Sequence, residues 1–249
     1  MAGVSERVSV LEERVANHIK FFWGAVIALG VWLAWVSVML YQTHASVGTI
    51  AQSQGNAPAQ VAAALLKKPA PTADQAASNL AAVSAVLRSA APTKAKPNSG
   101  ALKAVASGLI SAQTSYPQLP QVWTTTAEFI NYKSDAALAG GLKSFGPIHG
   151  IDCRNGGGIT FENGVITFKN CRLSLDHLIY AHGVPVFFIH CIVEYGGGEL
   201  PPDPLFFRDC LFRFHVNQVP PPSGARTMTL LAQAENILDV KVLPVATHS

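Results

Sequence analysis

Three ten-residue segments near the C-terminus constrain the fold more than any other feature of the chain. They are ITFKNCRLSL (Ile166 to Leu175), VFFIHCIVEY (Val186 to Tyr195) and LFFRDCLFRF (Leu205 to Phe214), and they align without a gap. Each has an aliphatic residue five places before its cysteine, phenylalanine three before it, a polar residue just before it, and large apolar residues two and four after it. The cysteines Cys171, Cys191 and Cys210 are 20 and 19 residues apart. Side chains alternate across a strand with period two, so Ile166 and Phe168 face one interior; after a shift of one residue, Cys171, Leu173 and Leu175 face it again. Two short strands joined by a bend at Lys169-Asn170 satisfy this pattern. A unit of strand, bend, strand and loop repeated every ~19 residues cannot bury its apolar face alone and must stack on its neighbours.

Stacking of this kind is the logic of a parallel β-helix. The Phe-x-(Asn/His/Asp)-Cys units resemble rungs of the right-handed parallel β-helices typified by the pectate lyases, over Ile148 to Val242. The resemblance implies architecture, not activity. The expected fold class is a mainly β ectodomain, a short right-handed parallel β-helix of about four or five rungs across residues 146–243. Cys153, 18 residues before Cys171, marks an imperfect first turn, and MTLLAQAENILDVKV, with Ile237, Leu238, Val240 and Val242, reads as a last, cysteine-free rung. A small antiparallel sandwich is the alternative fold. An open stack exposes strand edges and needs covers. QVWTTTAEFINYKSD, with Val122, Trp123, Phe129, Ile130 and Tyr132 before Gly140-Gly141, reads as a capping helix within 119–145 that lies across the first rung.

Upstream, Phe21 to Tyr41 contains no Asp, Glu, Lys, Arg or His. At ~1.5 Å per residue such a run crosses the ~30 Å hydrocarbon layer, so it reads as a single transmembrane anchor. Arg7, Arg14 and Lys20 precede it and the next basic residue is Lys67, which places the N-terminus in the cytoplasm and the bulk of the chain outside. A cleaved signal ending near Ala45 fits less well, because the apolar run exceeds a signal core of ~7 to 15 residues. Within residues 1–20, Val4, Val8, Leu11, Val15 and His18 make a short heptad pattern, read either as an amphipathic extension of the anchor or as a homo-oligomer contact through residues 4–41. Residues 42–118 are rich in Ala, Pro and Ser and carry six basic side chains and one acidic. They read as a partly helical tether. Thr72 and Gln75 have the form of a capping box before Leu80, Val83 and Leu87, and Leu102, Val105, Leu109 and Ile110 make a second stripe.

The candidate chemistry is sparse. If the repeats stack, adjacent cysteines lie ~4.8 Å apart, within reach of a bridge. Cys153, Cys171, Cys191 and Cys210 are therefore read as a ladder of buried thiols or as a disulfide framework with three pairings. Asn170, His190 and Asp209 form a polar column at the bends. A histidine beside a carboxylate suits acid–base or metal chemistry, but polar side chains at such bends also satisfy the turn itself. Glu194 and Arg213 read as an exposed cross-rung pair, while Asp176, His177, His182 and His215 are scattered loop residues. No cofactor and no metal site is expected, no catalytic residue is assigned, and no basic stripe with stacking aromatics points to nucleic acid.

The expectation is a membrane-anchored, extracytoplasmic binding or scaffolding protein of a bacterial inner membrane, single-pass, with a cell-wall polymer or polysaccharide as its ligand class. The opposing class is a carbohydrate-active enzyme, a polysaccharide lyase or glycoside hydrolase of β-helix type, and a third is a trimeric or filament-forming assembly module.

Overall fold

The computed structural model describes residues 57–90, 97–139, 152–153, 158–178, 183–200 and 203–243. The chain divides into two compact units, Met1–Ile50 and Ala51–Ser249. The heptad segment and the Phe21–Tyr41 anchor lie outside the described residues. Among the described residues no helix is long and apolar enough to cross a membrane, so the structure gives no support to the expected transmembrane helix.

The second unit combines helices with two sheets. α1 is helical over 57–66. α2 (Ala73–Ser89) starts at Thr72, whose hydroxyl oxygen accepts from the Gln75 N–H at 3.3 Å, so the Thr72 half of the predicted capping box is in place. α3 (Ser99–Ser115) is capped by Asn98, which accepts from Gly100 N–H at 2.7 Å. α4 spans Pro120–Ala139 and α5 Pro222–Gln233. The predicted stripes bury themselves: Leu80, Val83, Leu87, Val105 and Leu109 join one continuous core with α4 and the strands. Residues 57–90 and 97–115 are therefore part of the packed fold. The tether reading underestimated them because alanine makes a narrow stripe, yet its small size lets helices approach closely. Ala59, Ala62, Ala76 and Ala106 are buried, and a Cβ at Gly108 would stand 2.8 Å from Leu66.

The repeats form strand pairs: β2 (Val165–Lys169) with β3 (Arg172–Ser174), β4 (Val186–Ile189) with β5 (Ile192–Tyr195), and β6 (Leu205–Arg208) with β7 (Leu211–Phe214). β2, β4 and β6 run parallel, as do β3, β5 and β7, in the register the alignment gives; Phe168, Phe188 and Phe207 are partners. Their rings stack at centroid distances of 5.4 and 4.9 Å. Stacking of the repeats is therefore observed.

The expected β-helix of four or five rungs is not. The three pairs make two sheets, not a closed coil: a mixed sheet of order β1-β2-β4-β6-β8 and a parallel sheet β3-β5-β7. Antiparallel strands end the mixed sheet on both sides. β1 (Ile159–Glu162) turns back on β2 through Asn163-Gly164, both with positive φ, the pairing a two-residue hairpin demands. β8 (Asp239–Val242) lies antiparallel to β6. The first six residues of the segment read as a last rung, Met228 to Gln233, are helical instead, and its last four form the antiparallel β8. In α5, Gly224, Thr227, Met228, Leu231 and Ala232 are buried at intervals of three and four, a 3.6-residue period, and Pro222 opens the helix.

The capping helix forms, but at the other end of the stack. α4 covers β7, the last strand of the parallel sheet, and not the first rung. Ser134 Oγ accepts from Phe212 N–H at 2.9 Å, while the Asn131 amide accepts from Phe214 N–H at 2.7 Å and donates to Phe214 C=O at 2.8 Å. The Arg213 guanidinium donates to Phe212 C=O at 2.9 Å. Every outward backbone group of Phe212 and Phe214 thus has a partner.

Candidate functional site

The chemically distinctive feature is the column of cysteines along the parallel sheet. Each repeat cysteine follows the bend residue and immediately precedes the second strand, so in-register pairing of β3, β5 and β7 stacks them. All four cysteines are buried. Asp152 bridges in parallel to Arg172, which sets Cys153 beside Cys171 as if one strand earlier. The two form a disulfide with Cα atoms 5.1 Å apart. Cys191 and Cys210 are free thiols. The ladder is thus split into a bridge at one end and two thiols at the other.

The split leaves Cys191 Sγ 4.0 Å from Cys171 Sγ, one partner in the bridge. Both thiols also contact backbone carbonyls. Cys191 Sγ donates to Phe168 C=O at 3.4 Å and Ile189 C=O at 3.3 Å, and Cys210 Sγ to Phe188 C=O at 3.3 Å and Arg208 C=O at 3.4 Å. The Cys210 side chain on the next strand holds the Cys191 thiol below its ordinary pKa. Burial pushes Cys210 well above its own. A free thiol whose pKa is lowered and which lies against a disulfide is the arrangement thiol–disulfide exchange requires.

The polar column has a conformational explanation. Asn170, His190 and Asp209 have φ of 53, 56 and 51°, the left-handed region, which Asn, Asp and His enter more readily than most residues. That conformation turns the chain from one sheet to the other. The backbone N–H of Asn170 donates to Ile189 C=O at 3.1 Å and that of His190 to Arg208 C=O at 2.9 Å, tying each bend to the next repeat. Among the described residues no group of three or more His, Cys, Asp and Glu side chains is placed to hold a metal ion.

The expected Glu194–Arg213 pair does not form. Glu194 accepts from Arg172 on β3, and Arg213 reaches Asp135 on α4 at 2.6 Å, because α4 brings a carboxylate to the open side of β7. Asp176 is no bystander. Its carboxylate accepts from Gly196 N–H at 2.5 Å and Gly198 N–H at 2.6 Å, fixing the loop after β5. His215 is exposed, and His182 lies outside the described residues.

Two features were not anticipated from the sequence. On the outward face of the mixed sheet Phe187 and Phe206 stack at 4.4 Å, and Lys241 Nζ stands 5.0 Å from the Phe206 ring. The signal was the doubled phenylalanine in VFFIHC and LFFRDC, where the first repeat has Thr167. The second feature is Lys133, buried on α4. Its ammonium donates to the carbonyls of Leu231, Ala232 and Ala234 at 3.4, 3.0 and 2.6 Å, capping the C-terminus of α5. Burial pulls its pKa down to about 8. It sits at the wall of a pocket that Leu102, Lys103 and Glu235 also line. No sequence pattern marks a lysine for such a role.

No family model, no curated protein and no solved structure matches this chain.

Proposed function

We propose that the chain is a membrane-anchored, extracytoplasmic binding or scaffolding protein, held by Phe21–Tyr41, with the outward face of the mixed sheet as its contact surface. The observation that carries this reading is the Cys153–Cys171 disulfide in the folded core. Such bonds persist in oxidising compartments, outside the cytoplasm. The orientation agrees with the basic residues before the apolar run. Phe187 and Phe206 stack ring on ring with the Lys241 ammonium over Phe206, a half-buried aromatic ridge whose ring edges and cation suit a polymer with apolar CH groups and anionic substituents. A cell-wall polysaccharide is the ligand class this favours.

Cell fractionation with a C-terminal alkaline phosphatase fusion, a reporter active only after export, tests the placement. The expected result is an active fusion that stays with membranes through an alkaline wash. An inactive fusion, or recovery in the soluble fraction, overturns it. Co-sedimentation of the detergent-solubilised protein with insoluble cell-wall polysaccharide tests the surface. Retention should fall at least ~10-fold in a Phe187→Ser/Phe206→Ser variant, as expected when both stacking rings are lost.

A further inference from the structure

The cysteine column holds one more sulfur pair than a structural disulfide needs. We infer that Cys153, Cys171, Cys191 and Cys210 form an intramolecular thiol–disulfide relay in which one disulfide moves along the parallel sheet. This does not depend on the function proposed above, because exchange conserves the number of disulfides and needs no outside oxidant.

The step follows from the geometry. Cys191 Sγ lies 4.0 Å from Cys171 Sγ, close to van der Waals contact between two sulfurs. Attack by the Cys191 thiolate on Cys171 Sγ forms the Cys171–Cys191 bond and breaks Cys153–Cys171. The electron pair leaves on Cys153 Sγ, and the proton lost from Cys191 ends there, releasing Cys153 as a thiol. Cys210, on the adjacent strand in the same register, then attacks Cys191 Sγ, the slower step because burial holds Cys210 in its protonated form. That forms Cys191–Cys210, and Cys171 leaves as the thiol. Each step joins only residues on adjacent strands, whose partner positions the parallel register fixes. Cα atoms one strand apart are separated by ~4.8 Å, inside the range disulfides tolerate, so the backbone need not move far at any stage.

Two observations distinguish this from a bridge with bystander thiols. Cys191 stands between a disulfide sulfur on one side and, one strand away, the Cys210 thiol on the other, so it can serve as nucleophile in the first step and as electrophile in the second. Both free thiols are fully buried, which shields the relay from small thiols in solvent while leaving the internal route open.

Disulfide mapping of the full-length, detergent-solubilised protein tests the relay. The protein is held at pH 8, quenched in acid, unfolded, alkylated with a maleimide at low pH and digested without reductant. The expected result is Cys171–Cys191 and Cys191–Cys210 linked peptides beside Cys153–Cys171, at least ~10-fold above Cys153–Cys191 or Cys153–Cys210, because only adjacent sulfurs meet. Non-adjacent linkages in comparable amounts indicate scrambling through unfolding and overturn the proposal.

A second protein reads the same step where the first isomer dominates. Cys153→Ser carrying glutathione on Cys171 should release it as Cys191 displaces it, giving the Cys171–Cys191 peptide. Cys153→Ser/Cys191→Ser should keep its glutathione. The relay stands if the Cys171–Cys191 bond forms by the adjacent route in either protein. It falls if the bond forms in neither, or if the double variant loses glutathione at the same rate.

Discussion

The two ends of the three-stranded parallel sheet solve the same problem by different means. At the β3 end the chain adds one short parallel bridge, Asp152 to Arg172, and fixes it with the Cys153–Cys171 disulfide. At the β7 end a helix lies against the edge, and Asn131, Ser134 and Arg213 supply partners to the strand backbone. One closure is covalent and depends on redox state; the other is built from burial and hydrogen bonds. An exposed strand edge can thus be stabilised locally by a crosslink or by a cover, and a single small sheet can use both.

The largest expected effect belongs to the covered end. Phe212 is fully buried and meets Phe207 and Phe214 edge to face at 5.2 and 5.7 Å. Phe212→Ala should cost ~3–5 kcal/mol in denaturant unfolding, equally with and without reductant. A redox-dependent loss would break the comparison.

Reduction of the disulfide should come next. The bridge spans 18 residues, and closing a loop of that size contributes ~3 kcal/mol in the chain-entropy account. Addition of reductant should lower the unfolding midpoint accordingly. In Cys153→Ser/Cys191→Ser, where neither the bridge nor the Cys171–Cys191 bond can form, only Cys210 remains to partner Cys171, two strands away, and the midpoint should not respond. A reductant-insensitive native protein would mean that the covalent end adds nothing.

The smallest effect sharpens the description of the cover. Asn131→Ala leaves the Phe214 N–H and C=O without their partner and should cost ~1–3 kcal/mol, while Asn131→Asp, which still accepts from the N–H, should lose less. Equal losses for the two would show that the amide acts through packing alone.

The stack of strands was legible because a repeat reports register directly: three aligned phenylalanines predict three stacked rings, and they stack. What closes the stack was not, since an edge can be covered by a segment from anywhere in the chain, and α4 comes from before the first repeat to cover the last. α5 was misread because Met228 to Leu231 looks like strand in isolation, although its buried positions follow a helical period. Asn163-Gly164, by contrast, is a dipeptide that marks a two-residue hairpin in the sequence itself, and the chain turns there. Of the candidate site, the sequence offered the four cysteines but not their pairing. That depends on Asp152 settling beside Arg172, a contact no spacing rule specifies.

The Asn131 amide has a consequence for how many copies of this sheet exist. By presenting an acceptor and a donor at the spacing of a peptide group, it occupies the position where a neighbouring molecule's backbone would begin to pair. The parallel register is open-ended by nature, and nothing in the repeats themselves sets a limit of three. That limit comes from α4, whose Asn131 and Ser134 side chains stand in for the next strand and leave neither the Phe212 nor the Phe214 N–H to recruit another molecule.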